Sequence, residues 1–171
     1  NKKTKMKPTS ILNILLLLFT MHTTFGQIAV DDPEIRKMIS EVNSDNMEAT
    51  VKKLVSFGTR HTLSDTKSST RGIGAAQRWV KSEFDNYALA SNGRLTSIID
   101  YFTIKADGRR IKNDSQLGNV MATLKGTDVT DDRVLIISGH LDSRATDVMD
   151  SSIDAPGAND DGSGVAAMME L

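Results

Sequence analysis

Four consecutive apolar residues, Val134, Leu135, Ile136 and Ile137, constrain this chain more than any other stretch. A strand that alternates polar and apolar positions can lie with one face in water. A strand that is apolar at every position is satisfied only inside a sheet covered on both faces. Helical and strand patterns alternate along the rest of the chain, so the expected fold class is α/β, with helices layered on both sides of a central sheet. The run then becomes polar, Ser138-Gly139-His140-Leu141-Asp142-Ser143-Arg144. In open α/β sheets this carboxyl end of a strand is where ligands bind.

The other elements follow from periodicity. Asp32, Pro33 and Glu34 supply an N-cap, a first-turn proline and a first-turn acid, and Ile35, Met38, Ile39 and Val42 recur at helical spacing, predicting a helix to about Asn43. Ser44 or Asp45 caps a second helix with Met47, Val51, Leu54 and Val55 on one face and Gly58 as its left-handed terminator. Both stripes read as core. Residues 58–70 are polar and turn-rich. Within them Arg60 reads as a salt-bridging residue, and His61 as a loop histidine rather than a ligand, because no second ligand stands beside it at metal spacing.

The longest helix is predicted over residues 70–87, with Ile73, Ala76, Val80, Phe84 and Tyr87 on its inner face and Trp79 alongside. Asn92-Gly93 marks a turn before a branched and aromatic strand at 95–104; Ala106-Asp107-Gly108 marks another before a strand at 119–124. No internal repeat or linker interrupts the pattern.

Cysteine is absent, so chemistry falls to histidine, carboxylates, serine and lysine. His140 and Asp142 lie two residues apart, and in extended backbone their side chains share a side. A metal-bound histidine needs its second ring N–H held by an acceptor, a part that Asp142 can play. Further on, Ala155-Pro156-Gly157-Ala158-Asn159-Asp160-Asp161-Gly162-Ser163-Gly164 presents two acids at the start of a helix-forming segment. Taken alone, that loop is a capped turn or a calcium loop, although it lacks the alternating oxygen spacing and distal glutamate of an EF-hand. The combination of a central strand, His-x-Asp at its end and a glycine-bounded acid pair favours a metal site.

Lys2, Lys3, Lys5 and Lys7 precede an apolar run over residues 11–19, followed by small and polar residues to Gly26, the layout of a secretory signal peptide. Residues 1–26 are read as that signal and 27–171 as part of one globular domain, secreted or periplasmic, with no stable membrane span once the signal is cut. The signal holds four of the 21 basic residues and none of the 22 acidic ones, which leaves 17 against 22, a net charge of −5. No basic stripe with interleaved aromatics is present, so nucleic acid is not an expected partner.

The two segments GHLDSR and APGANDDGSG together resemble the M28 family of zinc metallopeptidases, largely aminopeptidases. FGTRHT, RGIGAAQRWV and NVMATLKG carry the resemblance more weakly upstream. It implies a three-layer α/β/α zinc-exopeptidase fold with a mixed central sheet, here truncated at the carboxyl end, two Zn2+ ions per complete site and peptide or protein substrates. Residue by residue, it implies that His140 ligates one zinc, that Asp160 bridges both, that Asp142 is the catalytic aspartate behind the metals and that Asp161 follows a cis peptide bond. The general-base glutamate and the remaining ligands would lie after Leu171. Glu170 matches none of them and reads as an ordinary helix residue. This chain alone is therefore expected to be inactive and to bind zinc weakly. A carboxypeptidase or glutaminyl cyclase of the same fold, a catalytically inactive binding ectodomain and a calcium-stabilised module are the alternatives.

Overall fold

The computed structural model describes residues 32–171, so the expected signal peptide lies outside the described residues. The chain divides into two units, Asn1–Glu41 and Val42–Leu171. Among the described residues no helix is long and apolar enough to cross a membrane.

The described part of the first unit is one helix, α1, Pro33–Glu41. Asp32 starts it as expected: its Oδ1 accepts the Glu34 N–H at 2.8 Å, and its carbonyl accepts from Arg36 N at 3.0 Å. The apolar stripe is not core. No residue of α1 is buried, and Met38 and Ile39 stand 64% and 67% exposed. Amphipathic spacing specifies a helix and its apolar face, but not a surface to cover it.

The second unit begins with helix α2, Ser44–Ser56. Its cap is Asn43, one residue before the expected candidates, with the side chain accepting from Asp45 N at 2.8 Å. Gly58, at φ 70°, ends the helix in the left-handed conformation, its N–H donating to Val55 O at 3.0 Å. Helix α3, Gly72–Ala88, buries Ile73, Ala76, Val80 and Phe84 on the predicted face. Strands β1, Leu95–Ile104, and β2, Ser115–Leu124, pair antiparallel in the register Leu95↔Leu124 to Ile104↔Ser115. β2 starts four residues before the predicted strand because its early residues complete the ladder opposite Tyr101, Phe102, Thr103 and Ile104. α3 packs on both strands, and Gln77 Nε2 donates to Gly118 O at 2.8 Å.

Helix α4, Ser163–Glu170, closes the unit. Its Val165 and Met169 join Leu54 of α2 and Val80 and Phe84 of α3 in one buried cluster, with Trp79, Val120 and Leu141 packed against it. Glu170, read as an ordinary helix residue, ties α4 to α2: its Oε1 accepts the Asn43 N–H at 2.7 Å. Helices with a two-stranded antiparallel sheet give an α/β composition.

Residues 134–137 depart from expectation. They pair with no strand among the described residues, and Leu135 is 92% exposed. The physical reason is that a strand apolar on both faces needs neighbouring strands and two covering layers. β1 and β2 pair with each other, and no described strand is left to flank 134–137. The segment after it is anchored instead by Leu141, which packs against the buried cluster.

Candidate metal centre

Leu141 explains how the His-x-Asp pair is presented. With the middle side chain drawn into the core, extended alternation turns His140 and Asp142 the other way. The opposing wall is the segment 155–162. It is closed by a single wide turn in which Gly162 N donates to Gly157 O at 3.0 Å. Gly157 enters that turn at φ 49°, and a Cβ there would stand 2.5 Å from Ser143 Cβ, so both conformation and space require glycine. The Asp160-Asp161 peptide bond is cis.

The two walls meet at their donors. His140 Nε2 lies 2.9 Å from Asp160 Oδ1, and both side chains are open to solvent. The other ring nitrogen, Nδ1, faces Asp142 twice: its carbonyl oxygen at 3.1 Å and its carboxylate Oδ1 at 3.4 Å. Asp142 thus supplies the acceptor that fixes the ring, and the shorter contact is made by its main chain rather than its carboxylate. The second carboxylate oxygen accepts from Thr62 Oγ1 at 2.5 Å. Burial is the largest single influence on the His140 pKa and lowers it. The Asp142 carbonyl and the charges of Asp142, Asp161 and Asp160 together outweigh burial and raise the pKa above the ordinary imidazole value.

Asp161 spends its carboxylate on main-chain N–H groups. Its Oδ2 accepts the His140 main-chain N–H at 3.0 Å and its Oδ1 accepts from Gly164 N at 3.1 Å. One side chain therefore staples the His140 segment to the first turn of α4. Close approach is possible because Gly139 has no side chain: a Cβ there would meet Val165 N at 2.8 Å.

His61 is buried and satisfied. Its Nδ1 accepts from Leu63 N at 3.0 Å and its Nε2 lies 3.2 Å from Val148 O, so it is a structural histidine. Arg60 is not the salt-bridging residue that was expected, since its guanidinium bonds main-chain carbonyls. Thr62 and Ser143 were not foreseen. Ser143 Oγ donates to Ala155 O at 2.6 Å and accepts from Arg60 N at 3.0 Å, joining three segments at one buried hydroxyl. Both residues lie inside the segments FGTRHT and GHLDSR that carry the family resemblance, which is the signal that could have found them.

The donor set suits a soft-to-borderline divalent metal in part. An imidazole nitrogen and a carboxylate oxygen facing at 2.9 Å lie near the ~3.3 Å edge of a tetrahedron built from bonds of ~2.0 Å, the zinc geometry. Among the described residues no group of three histidine or acidic side chains converges to hold an ion. A metal held between His140 and Asp160 would therefore need further ligands.

Comparison with known proteins places this arrangement. Residues 119–171, which contain both walls, match the model of peptidase family M28. A protein of Leptosphaeria maculans named "Probable zinc metalloprotease" is 48% identical over 140 residues, 82% of this chain and 32% of that protein. Proteins of the same description in Pyrenophora teres f. teres and Pyricularia oryzae are 49% and 48% identical, again over 82% of this chain, and over 29% and 28% of their own lengths. The chain spans about a third of the length of the curated relatives it matches. The motifs, their converging geometry and these likenesses agree: the chain belongs to peptidase family M28.

Proposed function

We propose that the full-length protein is an exported zinc-dependent exopeptidase, most concretely an aminopeptidase, with two zinc ions held in a three-layer α/β/α domain. The observation that carries this reading is the 2.9 Å approach of His140 Nε2 to Asp160 Oδ1, braced from behind by Asp142 and Asp161. In this assignment His140 would hold one zinc through Nε2, and Asp160 would offer one carboxylate oxygen to each ion. Bound zinc would supply Lewis-acid polarisation of the scissile carbonyl and a water acidified toward neutral pH.

The chain's own residues do the holding. Asp142 keeps the imidazole in one orientation and directs the proton to Nδ1, which leaves the Nε2 lone pair for the metal. Thr62 fixes the Asp142 carboxylate in turn. Asp161 fixes the main chain on which His140 stands. The remaining ligands and the general base are assigned to sequence outside this chain. The apolar residues 134–137 take the place of a central strand in the three-layer domain, which accounts for a segment whose composition contradicts its exposure.

Support for export comes from the basic and apolar layout of residues 1–26. A net charge of −5 after that segment fits peptide rather than polyanionic partners.

The test uses the purified full-length protein and an aminoacyl-anilide substrate. Dialysis against a chelator is expected to abolish hydrolysis, and about two equivalents of zinc per chain to restore it. Hydrolysis that survives complete metal removal overturns the metallopeptidase reading. Release of carboxyl-terminal residues from peptides, with no release from the amino terminus, replaces the aminopeptidase assignment with a carboxypeptidase.

A further inference from the structure

Arg60 is 1% exposed and is the largest fully buried side chain in the described structure. Every acceptor of its guanidinium is a main-chain carbonyl. Nε donates to Leu141 O at 2.8 Å. Nη1 donates to Leu54 O at 3.0 Å and to Pro156 O at 2.7 Å. Nη2 donates to Gly157 O at 3.0 Å. The Arg60 main chain adds a second attachment to the same place, its N–H donating to Ser143 Oγ at 3.0 Å and its carbonyl accepting from Ser143 N at 3.1 Å.

These acceptors stand beside the two walls of the candidate metal centre. Leu141 lies between His140 and Asp142. Gly157 opens the turn that carries Asp160, and its carbonyl also receives Gly162 N. One planar fork therefore bridges the segment bearing the imidazole and the turn bearing the carboxylate, with Leu54 of α2 as the fixed base. A guanidinium presents its five donors in a rigid arrangement, so the positions of the four carbonyls are set relative to one another. An ammonium has neither the span nor the plane to do this. Burial pulls the Arg60 pKa below its ordinary value, with the charge of Asp142 acting in the opposite direction. A cation is kept in an apolar interior only where it is hydrogen-bonded, and here four N–H groups of the guanidinium are bonded, three of them to carbonyls of the two walls.

We propose that Arg60 is the positioning residue for metal binding: its guanidinium sets the separation of His140 and Asp160, and metal affinity depends on it although it touches neither metal nor substrate. The inference rests on the zinc reading of the site given above.

Arg60→Lys and Arg60→Met are compared with wild type in the full-length protein. Zinc affinity is measured by competition with a chromophoric chelator at a temperature well below the unfolding midpoint of every variant, and folding is checked by far-UV circular dichroism and thermal unfolding. Val80→Ala, which opens the core at a residue 2% exposed that packs with Leu54 and Leu141 but makes none of the Arg60 hydrogen bonds, serves as the control for loosened packing alone. Both Arg60 variants are expected to bind zinc roughly 10- to 100-fold more weakly, the range typical of removing support behind metal ligands. Val80→Ala is expected to lower the midpoint and to cost far less zinc affinity than either Arg60 variant. If Arg60→Met does not fold, Arg60→Lys carries the comparison. A folded Arg60→Lys protein with wild-type zinc affinity overturns the proposal. So does a Val80→Ala protein that loses as much affinity as Arg60→Lys, since the effect would then be general loosening. A wild-type protein that binds no zinc overturns the reading of the site, and this inference falls with it.

Discussion

Asp160→Asn in the full-length protein is expected to cut zinc affinity by at least ~100-fold and kcat/KM by ~10³-fold or more, about 4 kcal/mol of transition-state stabilisation. The substitution keeps the shape of the side chain and one oxygen. It removes the charge, and it replaces the second oxygen with an amide that cannot ligate a cation. Asp160 Oδ1 sits 2.9 Å from His140 Nε2, so the carboxylate that loses its charge is the one facing the other donor. The side chain is 85% exposed, so the metal-free protein should unfold at the wild-type midpoint; surface changes of this kind usually fall within about 0.5 kcal/mol. Zinc titration and an aminoacyl-anilide assay read the first effect, and a thermal melt in chelator reads the second. Zinc affinity and turnover both within about 3-fold of wild type would remove Asp160 from the site.

Leu54→Ala acts on the frame rather than the chemistry, and is expected to destabilise the protein by about 3 kcal/mol, within the ~2–5 kcal/mol range for truncating a buried leucine. Leu54 is 0% exposed and packs in one cluster with Val80, Phe84, Val165 and Met169, where α2, α3 and α4 meet. Truncation there leaves a cavity that three helices would have to shift together to fill. The Leu54 carbonyl, which accepts from Arg60 Nη1 at 3.0 Å, is retained by alanine, so the loss should be one of packing. Urea unfolding of the metal-free protein measures it as a shift in midpoint at constant slope. A change below about 1 kcal/mol would mean that the cluster is not the core of this unit.

What could be read from the sequence divides along a physical line. Local periodicity carried α3 and the strand at 95–104, whose limits in the structure are Leu95–Ile104. It also carried the cap at Asp32 and the terminator at Gly58. Each of these is decided by residues within a few positions of one another. Burial was not legible where it depends on a partner surface: Ile35, Met38 and Ile39 form a proper helical stripe and lie exposed, and so do residues 134–137. The motif residues His140, Asp142 and Asp160 stand out by residue type and spacing, and their individual roles come from a family resemblance. What holds them was not found, because Arg60 reaches its carbonyl partners across 81 to 97 positions in Leu141, Pro156 and Gly157. Thr62 likewise reaches Asp142 across 80 positions. Hydrogen bonds between distant loops leave no period in a sequence.

The central claim is that His140 and Asp160 ligate zinc together. Crystals of the zinc-loaded full-length protein, measured on both sides of the zinc absorption edge, test it directly. The expected anomalous map has two peaks, one within ~2.0–2.2 Å of His140 Nε2 and both within that distance of the Asp160 carboxylate. An active, zinc-loaded protein whose peaks lie away from these two side chains would contradict the account.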